Sequence, residues 1–174
     1  GDLPSVRFDF AGQAGSRVRG IFGGGYQSGQ PRQNNIEFVT IASTGDAQDF
    51  GDLTRESNAL ISFSNQTRAI WAGGYYPAPN RTNIIDYVTI SQTGNAVDFG
   101  DAHAAVEGMA GMSSSTRGLI MGGYTNPTGK NDISFVTIST TGDVTDFGDM
   151  QVARWTLATG SNSTRGMIGG GRTP

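Results

Sequence analysis

Cysteine is absent from the 174 residues, which excludes disulfides and thiol chemistry and leaves the compartment open. Lysine is nearly absent: Lys130 stands beside 11 arginines, no basic run forms, and the net charge is −3. Nucleic acid is therefore not an expected partner. No apolar stretch reaches the roughly 18 residues of a membrane span, so no span is expected, and no signal peptide is visible. With one histidine, His103, a Ser-His-Asp or Cys-His arrangement would rest on a single loop residue, where an exposed polar role is the ordinary one. A hydrophobic content of 36% is low for one packed core, whereas 27 glycines suit many short strands joined by tight turns.

What the chain does contain is one phrase written three and a half times. Residues 67–101 read TRAIWAGGYYPAPNRTNIIDYVTISQTGNAVDFGD, and close copies begin at Val18, Thr116 and Thr164, the last stopping short. Arg19, Arg68, Arg117 and Arg165 are spaced 49, 49 and 48 apart, and Gly45, Gly94 and Gly142 are spaced 49 and 48. A period of this size points to a solenoid, propeller or array. The repeats run 4–52, 53–101, 102–149 and, in part, 150–174, and together form one expected repeat domain. Gly1-Asp2-Leu3 echoes Gly51-Asp52-Leu53, as expected of a chain excised from something longer.

Each repeat reads as four short strands. In the second these are 57–64, small residues ending in a polar turn; 68–75, apolar and closed by Gly73-Gly74; 84–91, alternating; and 96–99, short and aromatic-ended. Turn signals at this spacing indicate an all-β sandwich, barrel or propeller with at least fourteen antiparallel strands. The second strands do not alternate, which predicts burial on both faces. Residues 101–112, DAHAAVEGMAGM, look locally like a capped helix. The repeat register aligns them with segments that do not, and predicts strand.

An apolar strand closed by Gly-Gly, an aromatic about a dozen residues on, and a second aromatic on the fourth strand resemble the kelch repeat. Gly73-Gly74, Tyr87 and Phe99 carry the resemblance, matched by Gly24-Gly25, Phe38 and Phe50 and by Gly122-Gly123, Phe135 and Phe147. Phe stands where kelch repeats have Trp, and further along. The wording T-I-x-x-T-G-[DN]-x-x-D-F-G-D is similar to repeats in structural proteins of marine cyanophages. The resemblance implies a β-propeller of four-stranded blades, three full and one half, in a virion or tail-fibre protein at a virion or extracellular surface.

The D-x-x-D-F-G-D cluster brings Asp46, Asp49 and Asp52 close in sequence, with Asp98 and Asp146 repeating Asp49. Two readings are open. A hard cation such as Ca²⁺ takes six to eight oxygens, but the spacing is not that of an EF-hand and Asn95 replaces one Asp. The preferred reading is structural: turn chemistry, with carboxylates pairing to Arg19, Arg68, Arg117 and Arg165. The D-F-G tripeptide has none of the companion motifs of a kinase, and no helix follows the glycine runs to make a phosphate loop. No cofactor is expected, and catalysis is not, although a glycan-acting propeller enzyme is the third reading.

The copies disagree in two places only. The second-to-third loops (QSGQPRQN, YPAPNRT, TNPTGKN) and the fourth-to-first connections (LTRESN, AHAAVE, MQVARW) change, while the other turns barely do. In an up-and-down blade both variable sets lie on one face, and repeat proteins place binding where loops vary. Tyr26, Arg32, Tyr75, Tyr76, Arg81, Tyr124 and Lys130 lie there, a mixture suited to sugar stacking and anionic-glycan contacts. The expected function is non-catalytic binding of a cell-surface glycan or another virion protein, and the alternative is a purely structural spacer. A half repeat at the end leaves an edge near 167–171, for which a longer parent chain is the simpler expected account and a second chain completing the ring the alternative.

Overall fold

The computed structural model describes residues 1–76 and 80–174. Residues 77–79, part of the second variable loop, lie outside the described residues. The described residues are all-β and contain no helix. Repeat one folds as β1 (Ala11–Gly15), β2 (Arg19–Gly23), β3 (Asn35–Thr40) and β4 (Gln48–Asp52), an antiparallel sheet in sequence order. Repeat two gives β5 (Ile61–Ser64), β6 (Arg68–Ala72), β7 (Ile84–Thr89) and β8 (Val97–Asp101) in the same order. Repeat three gives β9 (Ala110–Ser113), β10 (Arg117–Met121), β13 (Asp132–Thr137) and β14 (Thr145–Asp149). Its variable loop forms a small hairpin of β11 (Tyr124–Thr125) and β12 (Thr128–Gly129). The last repeat contributes β15 (Ala158–Ser161) and β16 (Gly166–Gly169).

The sheets are stacked, and the core lies between them. Ile21, Ile36, Phe38 and Phe50 of repeat one bury against Ala69, Trp71, Val88 and Ile90 of repeat two. A second cluster joins repeats two and three in the same way. The middle strand β6 is covered on both faces, with Ala69, Ile70, Trp71 and Ala72 all buried, which is why its sequence does not alternate. First strands lie side by side, β1 on β5, β5 on β9 and β9 on β15. Hydroxyls stitch them: Ser64 Oγ donates to the Gly15 carbonyl (2.7 Å), Ser113 Oγ to that of Ser64 (2.7 Å), and Ser161 Oγ to that of Ser113 (2.8 Å).

The D-F-G tripeptide is a β-bulge. Pairing of β3 with β4 skips between Ile36 and Glu37, opposite Gly51 and Asp49, so Phe50 is the extra residue. The same slip occurs between β7 and β8 at Phe99 and between β13 and β14 at Phe147. The bulge turns the ring inward, edge-on to the aromatic of the third strand: Phe38–Phe50 at 5.9 Å, Tyr87–Phe99 at 5.8 Å, Phe135–Phe147 at 6.3 Å. The following glycine takes φ of 143° at Gly51 and 145° at Gly100, and no side chain fits there. A Cβ would stand 2.4 Å from the Gly94 or Gly142 carbonyl oxygen of the next repeat.

Residues 101–112 are not helical, and the strand predicted over them is confined to β9. The cause is a backbone kink: Gly108 has φ 63°, and Asp9, Ala59 and Thr156 hold the same conformation at the same place in the other repeats. Residues before the kink run irregularly and are pinned by the next feature. In every repeat the fourth-to-first connection is bridged to the residue after Gly-Gly: Phe8 to Tyr26, Asn58 to Tyr75, Glu107 to Tyr124, Trp155 to Arg172.

Candidate functional site: an aromatic and arginine row on the variable face

Those bridges put the two variable segments of each repeat on one face. The second glycine of each pair reaches across to the next repeat: Gly25 N–H donates to the Ser57 carbonyl (2.8 Å) and Gly74 N–H to that of Val106 (3.0 Å). Tyr26, Tyr75 and Tyr124, one residue further on, are thereby set at one height in successive repeats. Arg32 and Arg81 return from the loops and insert between them.

The result is a continuous stack. Phe8 meets Tyr26 edge-on at 5.1 Å. The Arg32 guanidinium lies 5.7 Å from the Tyr26 ring and 4.5 Å from that of Tyr75. Arg81 lies 5.5 Å from Tyr75 and 5.3 Å from Tyr124, which packs at 4.9 Å against Trp155. Arg81 gives Nε and Nη2 to Glu107 Oε1 (3.0 and 2.6 Å), so its charge is matched. Arg32 donates Nε to the neutral Asn58 Oδ1 (2.6 Å) and has no acidic partner among the described residues. Lys130 is half-buried at the far end, near Gly122 and Asp132, and makes no ion pair with a described residue. Tyr76 sits next to the row and is 41% exposed, and Phe8 is 50% exposed.

No protein-family model matches the chain, and no curated protein matches it. The row is therefore judged on its own chemistry. It offers open aromatic surface at Phe8 and Tyr76, and uncompensated positive charge at Arg32 and Lys130. Tyr75 and Arg81, by contrast, are half-buried and largely committed to each other and to neighbouring repeats.

The arginines of the first-to-second turn do not pair with D-F-G-D carboxylates. Arg19 donates Nη1 to the Ile90 carbonyl (2.7 Å) and Arg68 to that of Ile138 (2.9 Å), each in the next repeat. Each also lies over the third-strand aromatic of its own repeat: Arg19 over Phe38 at 4.6 Å, Arg68 over Tyr87 at 4.5 Å and Arg117 over Phe135 at 4.6 Å. The carbonyl at a strand end has no ladder partner and lies closer to hand than the carboxylates. Arg165 is exposed and makes no ion pair with a described residue. Asp49, Asp98 and Asp146 are exposed at the outer strands.

The metal alternative gains nothing from the geometry. Among the described residues no three carboxylate or imidazole groups converge. Asp46 is used as a clasp: its Oδ1 accepts the Asp2 N–H at 2.9 Å, as Asn95 accepts that of Asp52 and Asp143 that of Asp101, both at 3.0 Å. An amide oxygen serves as well as a carboxylate there, which accounts for Asn95. His103 is exposed and makes no hydrogen bond to a described residue.

Four charged side chains escaped the sequence reading. Arg7 pairs with Glu37, both buried. Asp86 accepts hydrogen bonds from Thr54 Oγ1 (2.8 Å) and Thr54 N–H (3.2 Å), with Arg55 Nη1 at 3.8 Å. Burial pushes the Asp86 carboxyl above its ordinary value, against the hydrogen bonds from Thr54 and the charge of Arg55. Burial likewise lowers the Arg55 guanidinium, against Asp86, and raises Glu37, against Arg7. Glu37, Asp86 and Ser134 share one position in the third strand. A carboxylate amid apolar neighbours on a buried strand is the signal that could have found them.

Proposed function

We propose that this chain is a non-catalytic repeat module of a virion or tail-fibre protein, built on β-propeller blades, that binds an anionic cell-surface glycan through its variable face. The carrying observation is the row from Phe8 to Trp155, with open rings at Phe8 and Tyr76 and unmatched cations at Arg32 and Lys130. A flat aromatic face suits the apolar face of a sugar ring, and a nearby cation suits its carboxylate or sulfate. Meandering four-stranded sheets with their first strands side by side support the propeller architecture.

A second reading, a structural spacer, is favoured by the internal use of Tyr75 and Arg81. Labelled protein on a glycan array separates the two. The binding reading expects retention by acidic glycans, weakened at least about tenfold by Tyr76→Ala with Lys130→Gln, at unchanged thermal stability. A parent chain retained by no glycan and by no cell surface leaves the spacer.

A further inference from the structure

Of the three side chains at one third-strand position, Glu37 and Asp86 are held by arginines and Ser134 is not. Asp86 pairs across the sheet with Trp71, which packs on repeat one, so Asp86 lies between the two repeats. Thr54 and Arg55 close on it there, and Arg55 also gives Nη2 to the Ile84 carbonyl (2.9 Å). In repeat one, Arg7 closes on Glu37. Repeat three keeps the frame without the contents. Ser134 stands in place of Asp86, and His103 and Ala104 stand in place of Thr54 and Arg55.

What remains is a pit of ≈ 20 Å³ between repeats two and three. Its outer lining belongs to the variable face: His103 is exposed, and Ala104, Lys130 and Asp132 are half-buried. Its inner lining is apolar, with Val106, Met109 and Ile120 each no more than 5% exposed. Ser134 is the polar exception: it is 5% exposed, lines the pit, and its hydroxyl makes no hydrogen bond with a described residue. A buried hydroxyl ordinarily has a partner. One water would fit this volume, but a buried water makes about three hydrogen bonds and here meets a single buried side-chain partner. The space suits a methyl-sized group that carries one acceptor.

We propose that this pit takes the acetyl group of an N-acetylated acidic sugar. The methyl packs on Val106, Met109 and Ile120, and the acetyl oxygen accepts a hydrogen bond from Ser134 Oγ. At the rim the amide N–H donates to the Asp132 carboxylate, and Lys130 meets the carboxylate of the sugar. The pit adjoins the aromatic row: Val106 precedes Glu107, which is bridged to Tyr124, and Lys130 N–H donates to the Gly123 carbonyl (2.9 Å). The matching places in repeats one and two are filled by Arg7 with Glu37 and by Arg55 with Asp86, so the requirement is confined to repeat three. The proposal rests on the glycan reading of this face and adds a chemical demand to it.

An array of acidic oligosaccharides in matched N-acetyl, N-formyl and free-amine forms tests this, the N-formyl form lacking the methyl alone. The full chain should bind the N-acetyl form at least about tenfold more tightly than either of the others. Ala104→Arg with Ser134→Asp refills the pit with the pair of repeat two, and Ala104→Leu fills it without adding charge. Each should bind the N-acetyl form no better than the N-formyl form. In the parent, the methyl resonances of Met109 and Ile120 should shift further with the N-acetyl glycan than with the N-formyl one. A parent that retains acidic glycans without regard to the acetyl group overturns this inference and leaves the glycan reading standing. So does a preference that survives in a filled variant with the parent circular dichroism spectrum. A parent retained by no acidic glycan overturns both.

Discussion

Alanine placed at the glycine of each D-F-G bulge separates the strain of one residue from the fit of a whole joint. Gly51, Gly100 and Gly148 have φ of 143°, 145° and 134°, so the backbone penalty of a side chain, about 1–3 kcal/mol, is nearly common to all three. What differs is the neighbour. At Gly51 the new Cβ stands 2.4 Å from the Gly94 oxygen and at Gly100 2.4 Å from the Gly142 oxygen, both backbone atoms that cannot swing aside, whereas at Gly148 it meets nothing. Relief requires the next repeat's turn to retreat by roughly an ångström, a misfit of about 1–3 kcal/mol. If the turn lets go instead, three hydrogen bonds are lost, at about 1 kcal/mol each. Gly51→Ala and Gly100→Ala should therefore cost about 2–3 kcal/mol more than Gly148→Ala. Urea denaturation reads this as a lower midpoint at constant m, and hydrogen exchange at the Gly94 and Gly142 amides reports the joint directly. Equal costs at the three positions would refute the idea that these glycines exist for the joint.

Phe99→Ala should cost roughly 3–5 kcal/mol as a full core truncation, against about 1 kcal/mol or less for Phe147→Ala, and calorimetry of both checks it. Arg68→Ala removes a carbonyl cap and a ring contact and should cost about 1–2 kcal/mol, while Arg117→Ala, which among the described residues loses a ring contact and no carbonyl cap, costs about 0.5 kcal/mol. Because burial raises the Asp86 carboxyl above its ordinary 3.8, the folded chain binds that proton more tightly than the unfolded one. The associated stability is complete below the ordinary value and is lost as pH rises through the raised one. The stability of the parent relative to Asp86→Asn should thus grow as pH falls from neutral, and identical pH slopes in the two would refute it.

The strands were legible because each was written several times, and a turn signal ambiguous in one copy is settled by the next. Residues 101–112 show the limit of that help. Register rightly set aside the alanine-rich helix signal, yet alignment alone did not show that a left-handed kink at Ala59 and Gly108 stops the strand early. The bulge at Phe50 was hidden because a bulge is a matter of hydrogen-bond register, which residue types do not spell out. The partners of Arg19 and Arg68 were misread for a related reason: a carboxylate is visible in sequence, whereas an unsatisfied carbonyl at a strand end is not. On the variable face the sequence shows which residues share the face and not how they touch one another. Arg81 facing Glu107 and lying between Tyr75 and Tyr124 depends on the offset between neighbouring repeats, a distance that no single repeat contains.

At the T-G-[DN] turn, successive repeats meet through main-chain hydrogen bonds, one clasping side chain, an arginine cap and a buried Phe and Ile, while the opposite face adds contacts of its own such as Arg81 on Glu107. Duplication or loss of one whole unit by unequal recombination would leave every remaining joint chemically unchanged, so copy number can change in one genetic event without fresh interface mutations. Loop residues that make no contact with a neighbouring repeat can meanwhile diversify unit by unit, whereas Arg32 and Arg81, which do, cannot change alone. Such an architecture separates the inheritance of shape from the inheritance of surface, and lets each evolve at its own pace.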